Sequence, residues 1–136
     1  MTRRCLFVRS TALLCGVLTL SLFLPAFSVQ TKPDDVLMKK YEKILGKYEL
    51  DLSTMGGGTR ILEYYIKNGA LWIEYGFTSP GEMHPVNEAV DKFTFDEPDD
   101  GLVKITFLKN DKGEYAQCRF VVDSLNLDVI ANKIKT

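Results

Sequence analysis

His84 is the sole histidine of the sequence, and Glu82 and Glu88 are the nearest side chains that could join it around a metal ion. Protein zinc sites use three or four ligands drawn from histidine, cysteine and carboxylate side chains. In an extended segment His84 points to the face opposite Met83, and Pro85 follows it directly. Because this ligand set is sparse, we expect His84 to face solvent and predict no metal site.

Two other patterns attract attention, but their spacing does not support binding chemistry. The acidic bend Glu97–Gly101 lacks the D-x-[DN]-x-[DN]-G spacing and the bidentate glutamate of a calcium loop. The glycines Gly56–Gly58 are not followed by either glycine-rich nucleotide motif, and no helix begins there to bind a phosphate. We interpret the first as a solvated turn and the second as a mobile hairpin loop.

Groups suited to catalysis are equally sparse. Glu63 and Glu74 are predicted neighbours that could share a proton, as paired carboxylates do in hydrolases. They belong to a face that we expect to be partly wet, so surface repulsion is the simpler interpretation. The serine motifs S-x-x-K and G-x-S-x-G are absent from the sequence. We therefore predict that the protein is not an enzyme and uses no cofactor.

The element around which the chain is organised is a hairpin within Thr59–Gly76. Runs rich in β-branched and aromatic residues flank Asn68-Gly69, the dipeptide best suited to a type I′ turn. A two-residue loop there fixes the register. The expected pairs are Leu62–Tyr75, Tyr64–Ile73 and Ile66–Leu71 on an apolar face, and Tyr65–Trp72 and Glu63–Glu74 on a mixed face. A hairpin this apolar must be covered by other elements.

A helix and a strand precede this hairpin. Four apolar residues fall on one helical stripe, with acids before them, lysines among them and Gly46 placed to end the helix. They are Leu37, Tyr41, Ile44 and Leu45. We predict a helix over residues 34–45 and a first strand over residues 47–52, with Tyr48, Leu50 and Leu52 on one side.

The second half of the chain reads as short strands. Glu82–Val86 is extended, and its Pro85 predicts an edge strand. Lys92–Asp96 places Phe93 and Phe95 on one face. Leu102–Val122 is predicted to be a second hairpin with a loop at Asn110–Gly113. On its core side, the expected pairs are Val103–Phe120, Ile105–Cys118 and Phe107–Ala116. On its solvent side, they are Lys104–Arg119, Thr106–Gln117 and Leu108–Tyr115. A last strand within Leu125–Ile134 turns Leu127, Val129 and Ala131 inward. About eight strands after one helix are enough to form a small barrel.

The first 28 residues are predicted to be a cleaved signal peptide. Three arginines precede the apolar stretch Thr11–Leu24, and Ala26-Phe27-Ser28 fits the small-x-small rule. The stretch is shorter than the roughly 20 residues of a spanning helix. We expect cleavage after Ser28, no stable membrane anchor afterwards, and a secreted or periplasmic location. The mature chain is expected to begin with a disordered lead over residues 29–33, followed by one domain over residues 34–136.

Cleavage changes the composition of the chain. The formal net charge of −1 becomes −4 when the three arginines leave, which disfavours nucleic acid and anionic membranes as partners. Of the three cysteines, Cys118 alone remains, so we expect no intramolecular disulfide and interpret Cys118 as a buried small hydrophobe.

Several of these motifs together resemble a known domain. They are Gly46–Tyr48 after the helix, Gly69–Trp72 in the first hairpin, the Met83–Pro85 piece, Phe93, Val103–Phe107 with Asp111–Gly113, and Ala131–Ile134. The set is similar to the lipocalin-like domain at the C-terminus of penicillin-binding-protein-like serine hydrolases and peptidases, over roughly residues 36–135. The resemblance implies a small antiparallel lipocalin-like β-barrel with an accessory role, here without the hydrolase domain.

Two binding functions follow as expectations. The first is a secreted, non-catalytic module that binds a cell-envelope protein or itself through Tyr65 and Trp72 on the outer hairpin face. The alternative is a carrier of a small apolar ligand in the barrel interior. The side chains expected to line that interior are Tyr64, Tyr75, Phe93, Phe95, Phe107 and Phe120.

Overall fold

The computed structural model describes residues 31–76 and 79–135, so the predicted signal peptide and its cleavage point lie outside the described residues. Within this part of the chain, one helix, α1 (Pro33–Tyr41), precedes eight strands. The strands are β1 (Gly46–Asp51), β2 (Thr59–Lys67), β3 (Ala70–Glu74), β4 (Gly81–Pro85), β5 (Lys92–Glu97), β6 (Gly101–Lys109), β7 (Tyr115–Val122) and β8 (Leu127–Lys133).

The eight strands form a closed antiparallel barrel. Each strand pairs with its neighbours in the chain, and β8 returns to pair with β1. This confirms the predicted mainly β architecture with one preceding helix. The prediction that Pro85 marks an edge strand is wrong, because β4 pairs with both β3 and β5 and closure removes every edge. Pro85 is the last residue of β4, so its missing N–H lies where the hydrogen-bond ladder of the strand ends.

The Asn-Gly hairpin forms as predicted. Asn68 and Gly69 have φ angles of 52° and 75°, which both residues of a type I′ turn require. The five pairs from Glu63–Glu74 to Lys67–Ala70 lie in the expected register. Lys47 on β1 places its Nζ 3.7 Å from Glu63 Oε2 and so relieves the repulsion across the Glu63–Glu74 pair.

Helix α1 is shorter than predicted. It ends at Tyr41 instead of residue 45, although Tyr41 and Ile44 are buried and Leu37 and Leu45 pack against the core as expected. The carbonyl of Ile44 accepts a hydrogen bond from the Tyr48 hydroxyl at 3.0 Å. The end of the apolar stripe belongs to a turn that leads into β1, in which the Tyr41 carbonyl accepts the backbone amides of Ile44 at 2.9 Å and Leu45 at 3.1 Å.

The register of the second hairpin differs from the prediction by two residues. Phe107 faces Cys118 and Ile105 faces Phe120, because the loop has three residues between Asn110 and Glu114 and a bulge follows between Leu108 and Lys109. Each of these two irregularities shifts the pairing by one residue. A total shift of two keeps every side chain on its predicted face, because side chains alternate with a period of two.

The two ends of the barrel differ. At one end, which we call the closed end, α1 lies against β2 and β3, and the Gly69 amide donates to Asp34 Oδ1. Tyr41 of the helix packs on Phe93 at a ring distance of 5.5 Å. The other end is bounded by the β1–β2, β5–β6 and β7–β8 connections and by the described residues that follow β3, and we call it the open end. The α-helix covers the closed end, whereas the described connections of the open end include two short 3₁₀ helices, Ser53–Met55 and Asp123–Leu125.

Candidate functional site

The closed half of the barrel interior is filled by aromatic rings. Tyr64 and Phe107 are 4.9 Å apart between ring centres, and Phe93 is 5.9 Å from Phe107, all in edge-to-face arrangements. Tyr48 adds two further contacts, to Tyr64 at 5.2 Å and to Phe107 at 5.7 Å. These rings are at most 2% exposed. Three of the six predicted interior residues therefore pack against each other and leave the closed half solid.

The side-chain polar atoms of this core are hydrogen-bonded and remain neutral. The Tyr64 hydroxyl lies 3.3 Å from Cys118 Sγ. Burial, with a contribution from nearby Cys118, raises the pKa of Tyr48 and of Tyr64. Burial likewise raises the pKa of the Cys118 thiol to about 11. Since a reactive cysteine needs a lowered pKa and access to solvent, Cys118 is a packing residue.

The other three predicted interior residues lie toward the open end. Phe95, Tyr75 and Phe120 form a looser triangle with ring distances of 5.9, 6.2 and 6.4 Å in tilted arrangements. Tyr75 is only partly buried. Two of these rings, Tyr75 and Phe120, line a cavity of about 330 Å³. The structure therefore divides the predicted interior set into a packed group and a group beside empty space.

The wall of this open-end cavity is mainly apolar. Its apolar side chains come from five strands, from the segment after β1, from the segment after β3 and from the β7–β8 turn. They are Leu50, Leu52, Leu62, Tyr75, Val103, Phe120, Val122, Leu125 and Leu127. Leu125 is also 53% exposed, and Met55 on the β1–β2 connection of this end is 56% exposed. The apolar surface of the cavity thus continues onto its rim.

Three charged residues interrupt this wall: Arg60, Glu97 and Asp100. Glu97 is only 6% exposed and is the sole charged residue among the buried ones described here. Its Oε2 accepts the backbone amides of Asp99 at 2.9 Å and Asp100 at 2.8 Å. The interpretation of this bend as a solvated turn is therefore wrong for Glu97, because Phe93, Phe95 and Glu97 alternate inward along β5.

The predicted interaction pair lies on the outer face of the first hairpin. Tyr65 and Trp72 face each other in register, and both are partly exposed. The Trp72 indole donates to the carbonyl of Lys67 at 3.0 Å, which fixes the ring orientation. Trp72 has Tyr65 as its cross-strand partner on β2 and Glu82 as its partner on β4. Glu74 lies two residues after Trp72 on the same face of β3. The aromatic pair is therefore surrounded by carboxylates.

The residues considered for metal chemistry stay apart. His84 is exposed, as expected from the alternation on β4. Across residues 31–76 and 79–135, no three histidine, cysteine or carboxylate side chains converge as a metal site would require. Glu63 and Glu74 face each other on the outside of the barrel. The open-end cavity is thus the one place described where apolar volume and a buried charge meet.

Comparison with known proteins leaves the chain without an identified family. No protein-family model matches it, and neither a curated protein nor a solved structure is significantly similar to it. Within the described segments, no helix combines the length and apolar character needed to cross a bilayer. The resemblance to a lipocalin-like accessory domain therefore stays a prediction, and function must be argued from the cavity.

Proposed function

We propose that the protein binds a small, mostly apolar ligand in the open-end cavity. The observation that carries the proposal is the leucine-rich wall of this cavity of about 330 Å³ above the aromatic core; two further concave regions at the closed end, of about 770 and 270 Å³, have several lysine side chains in their walls. Ligand sites in proteins are typically concave, mostly apolar and about 300–1,000 Å³, and the mouths of barrels are frequent positions for them. Under this proposal, the ligand of the predicted carrier function contacts Tyr75 and Phe120.

The cavity is at the small end of that range, which limits both ligand size and affinity. The neutral dye N-phenyl-1-naphthylamine is a suitable probe because its fluorescence rises in apolar surroundings. At about 0.3 kcal/mol for each of its roughly 17 non-hydrogen atoms, binding would contribute about 5 kcal/mol, or a Kd of about 0.2 mM or tighter. The dye is titrated into the protein obtained by expressing the full 136-residue chain.

Two substitutions on β8 make a matched pair for this titration. Leu127 lines the cavity, whereas Ile130 points outward and is 48% exposed. Leu127→Trp fills the cavity and should raise the dye Kd at least about tenfold, equivalent to about 1.4 kcal/mol. Ile130→Trp adds the same side chain outside and should leave Kd unchanged. Equal Kd values for both variants, or no saturable binding to the wild-type protein, would overturn the proposal.

A second candidate function is binding of another protein through Tyr65 and Trp72. The specific observation in its favour is that the Trp72 ring is partly exposed yet held by its bond to the Lys67 carbonyl, so little side-chain entropy is lost on binding. The surrounding carboxylates favour a partner surface that carries lysine or arginine. Trp72→Ala should weaken capture of a cell-envelope partner or self-association in sedimentation, whereas Ile130→Ala should not; equal behaviour counts against it.

Both functions are proposed for a secreted or periplasmic, non-catalytic protein. The support is in the sequence: the basic and apolar leader that ends at Ser28, and the absence of the serine-hydrolase motifs. N-terminal sequencing of the protein exported by a bacterial host tests the first point. A mature chain that starts at Val29 is expected, and retention of Met1 in the exported protein would contradict it.

A further inference from the structure

The charge of Glu97 is the feature of the cavity that ligand binding by apolar contact alone does not explain. Its carboxylate is 6% exposed and forms part of the cavity wall. Removing a carboxylate from water is costly unless hydrogen bonds or an opposite charge compensate it. Two backbone amides supply part of that compensation, and both donate to the same oxygen, Oε2.

Holding the turn does not by itself require this charge. The β6–β7 turn is held in the same manner by Asn110, whose Oδ1 accepts the amides of Lys112 and Glu114, both at 3.0 Å. Asn110 is neutral, and it is exposed. The same fold thus caps a comparable turn with an uncharged side chain outside the barrel. At Glu97 the acceptor is instead an ionisable group placed inside a cavity.

The electrostatic surroundings of the mouth are acidic. Two carboxylates, Glu97 and Asp100, and one guanidinium, Arg60, line the cavity. Asp99 adjoins them on the exposed side of the same turn. A low-dielectric wall strengthens the field of a buried charge, so an excess of negative charge at the mouth attracts cations and disfavours anions.

We propose that the ligand is an amphiphile with a cationic amino group, whose apolar chain occupies the cavity and whose ammonium pairs with Glu97. This inference rests on the proposed ligand-binding function. The chain lies against the leucine and valine side chains of the wall, and Phe120 forms part of the same surface. The ammonium donates charge-assisted hydrogen bonds to the carboxylate, which are stronger than bonds between neutral groups.

The test compares three ligands of equal chain length: octylamine, 1-octanol and octanoate. Each competes with N-phenyl-1-naphthylamine at pH 7 on the wild-type protein. Octylamine should halve the dye signal at a concentration at least about tenfold below that of 1-octanol, and octanoate should be weaker than 1-octanol. Equal potency of octylamine and 1-octanol would overturn the inference while leaving the proposed function intact. Failure of the dye and of all three ligands to bind would overturn both.

Two variants of equal charge change show whether Glu97 is the anchor. Glu97→Gln keeps an oxygen that can accept the turn amides and should bring octylamine and 1-octanol to within about twofold of each other. Asp96→Asn, one residue earlier on β5 but outward-facing and exposed, should keep the preference. An equal loss in both variants would assign the preference to the general field and overturn the role of Glu97.

A measurement on the wild-type protein covers the case in which Glu97→Gln does not fold. With octylamine bound, nuclear Overhauser contacts are expected between its α-methylene protons and the γ protons of Glu97. The terminal methyl group should contact wall residues such as Leu62. A bound octylamine whose α-methylene shows no contact with Glu97 would refute the proposed orientation.

Discussion

The division of the barrel into a packed half and a hollow half can be measured as a difference between two substitutions of the same kind. Phe107→Ala removes a ring that is 2% exposed and meets three other rings at 4.9–5.9 Å. Phe120→Ala removes a ring that is 6% exposed, borders the cavity and meets two rings at 6.2 and 6.4 Å. The residue types are identical, so the surroundings decide the cost.

The expected magnitudes follow from two contributions. Loss of burial alone costs about 1.5–3 kcal/mol for either ring. In the closed half a new void adds to this, and Phe→Ala substitutions in tight cores cost about 3–5 kcal/mol in total. We expect about 4 kcal/mol for Phe107→Ala and about 2 kcal/mol for Phe120→Ala, because the space beside Phe120 is already there.

Urea unfolding followed by circular dichroism measures both values. With an m value of about 1–3 kcal/mol/M, a 2 kcal/mol difference separates the two midpoints by roughly 1 M. The m values of the two variants should agree, which shows that the unfolded states are comparable. Equal losses of stability, or a greater loss for Phe120→Ala, would refute the claim that the two halves are packed differently.

Three further predictions concern single sites. Gly81→Ala should cost about 1–3 kcal/mol in urea unfolding, because its Cβ would lie 2.6 Å from the buried Phe95 ring; an unchanged midpoint contradicts this close packing. The hydrogen bond from Arg119 lowers the pKa of Asp128, so the Arg119–Asp128 pair stabilises the fold above the unfolded-state pKa of the aspartate and loses this effect as pH falls through the folded-state pKa. NMR titration of Arg119→Gln should show a higher Asp128 pKa than in the wild-type protein. An unchanged pKa would refute this cause. Burial raises the Cys118 pKa from 9.0 to about 11, so the contribution of the neutral thiol to folding stability is complete below pH 9 and is lost as pH rises through 11. The thiol of the native protein should resist a disulfide reagent at pH 8 and should react after unfolding. Rapid reaction of the native protein would contradict the burial of Cys118.

Local turn chemistry explains why the first hairpin could be predicted pair by pair. Asn68 and Gly69 admit one two-residue loop, and that loop fixes the register of both strands. The β6–β7 register depended on a three-residue loop and a bulge near Leu108, which have weaker sequence signals. The side-chain faces were nevertheless correct, since both errors together shift the pairing by a full period of two.

The cavity could not be located from the sequence because it depends on which inward side chains meet across the barrel. Alternation placed Tyr64 and Phe120 inside alike, yet one lies in the packed core and the other borders the space. Glu97 had an available signal: it follows Phe93 and Phe95 at the next inward position of β5. Alternation along β1 placed Tyr48 on the same side as Leu50, but its contacts with Tyr64 and Phe107 depend on which rings meet across the barrel.

The most direct test of the account is to locate a bound probe by NMR. With N-phenyl-1-naphthylamine bound, nuclear Overhauser contacts to the methyl groups of Leu62 and Val122 at the open end are expected. Ile44 and Leu71, in the buried core toward the closed end, should show none. Contacts with Ile44 and Leu71, or with the outward-facing Ile130 alone, would contradict the claim that the open half of this barrel is its binding site.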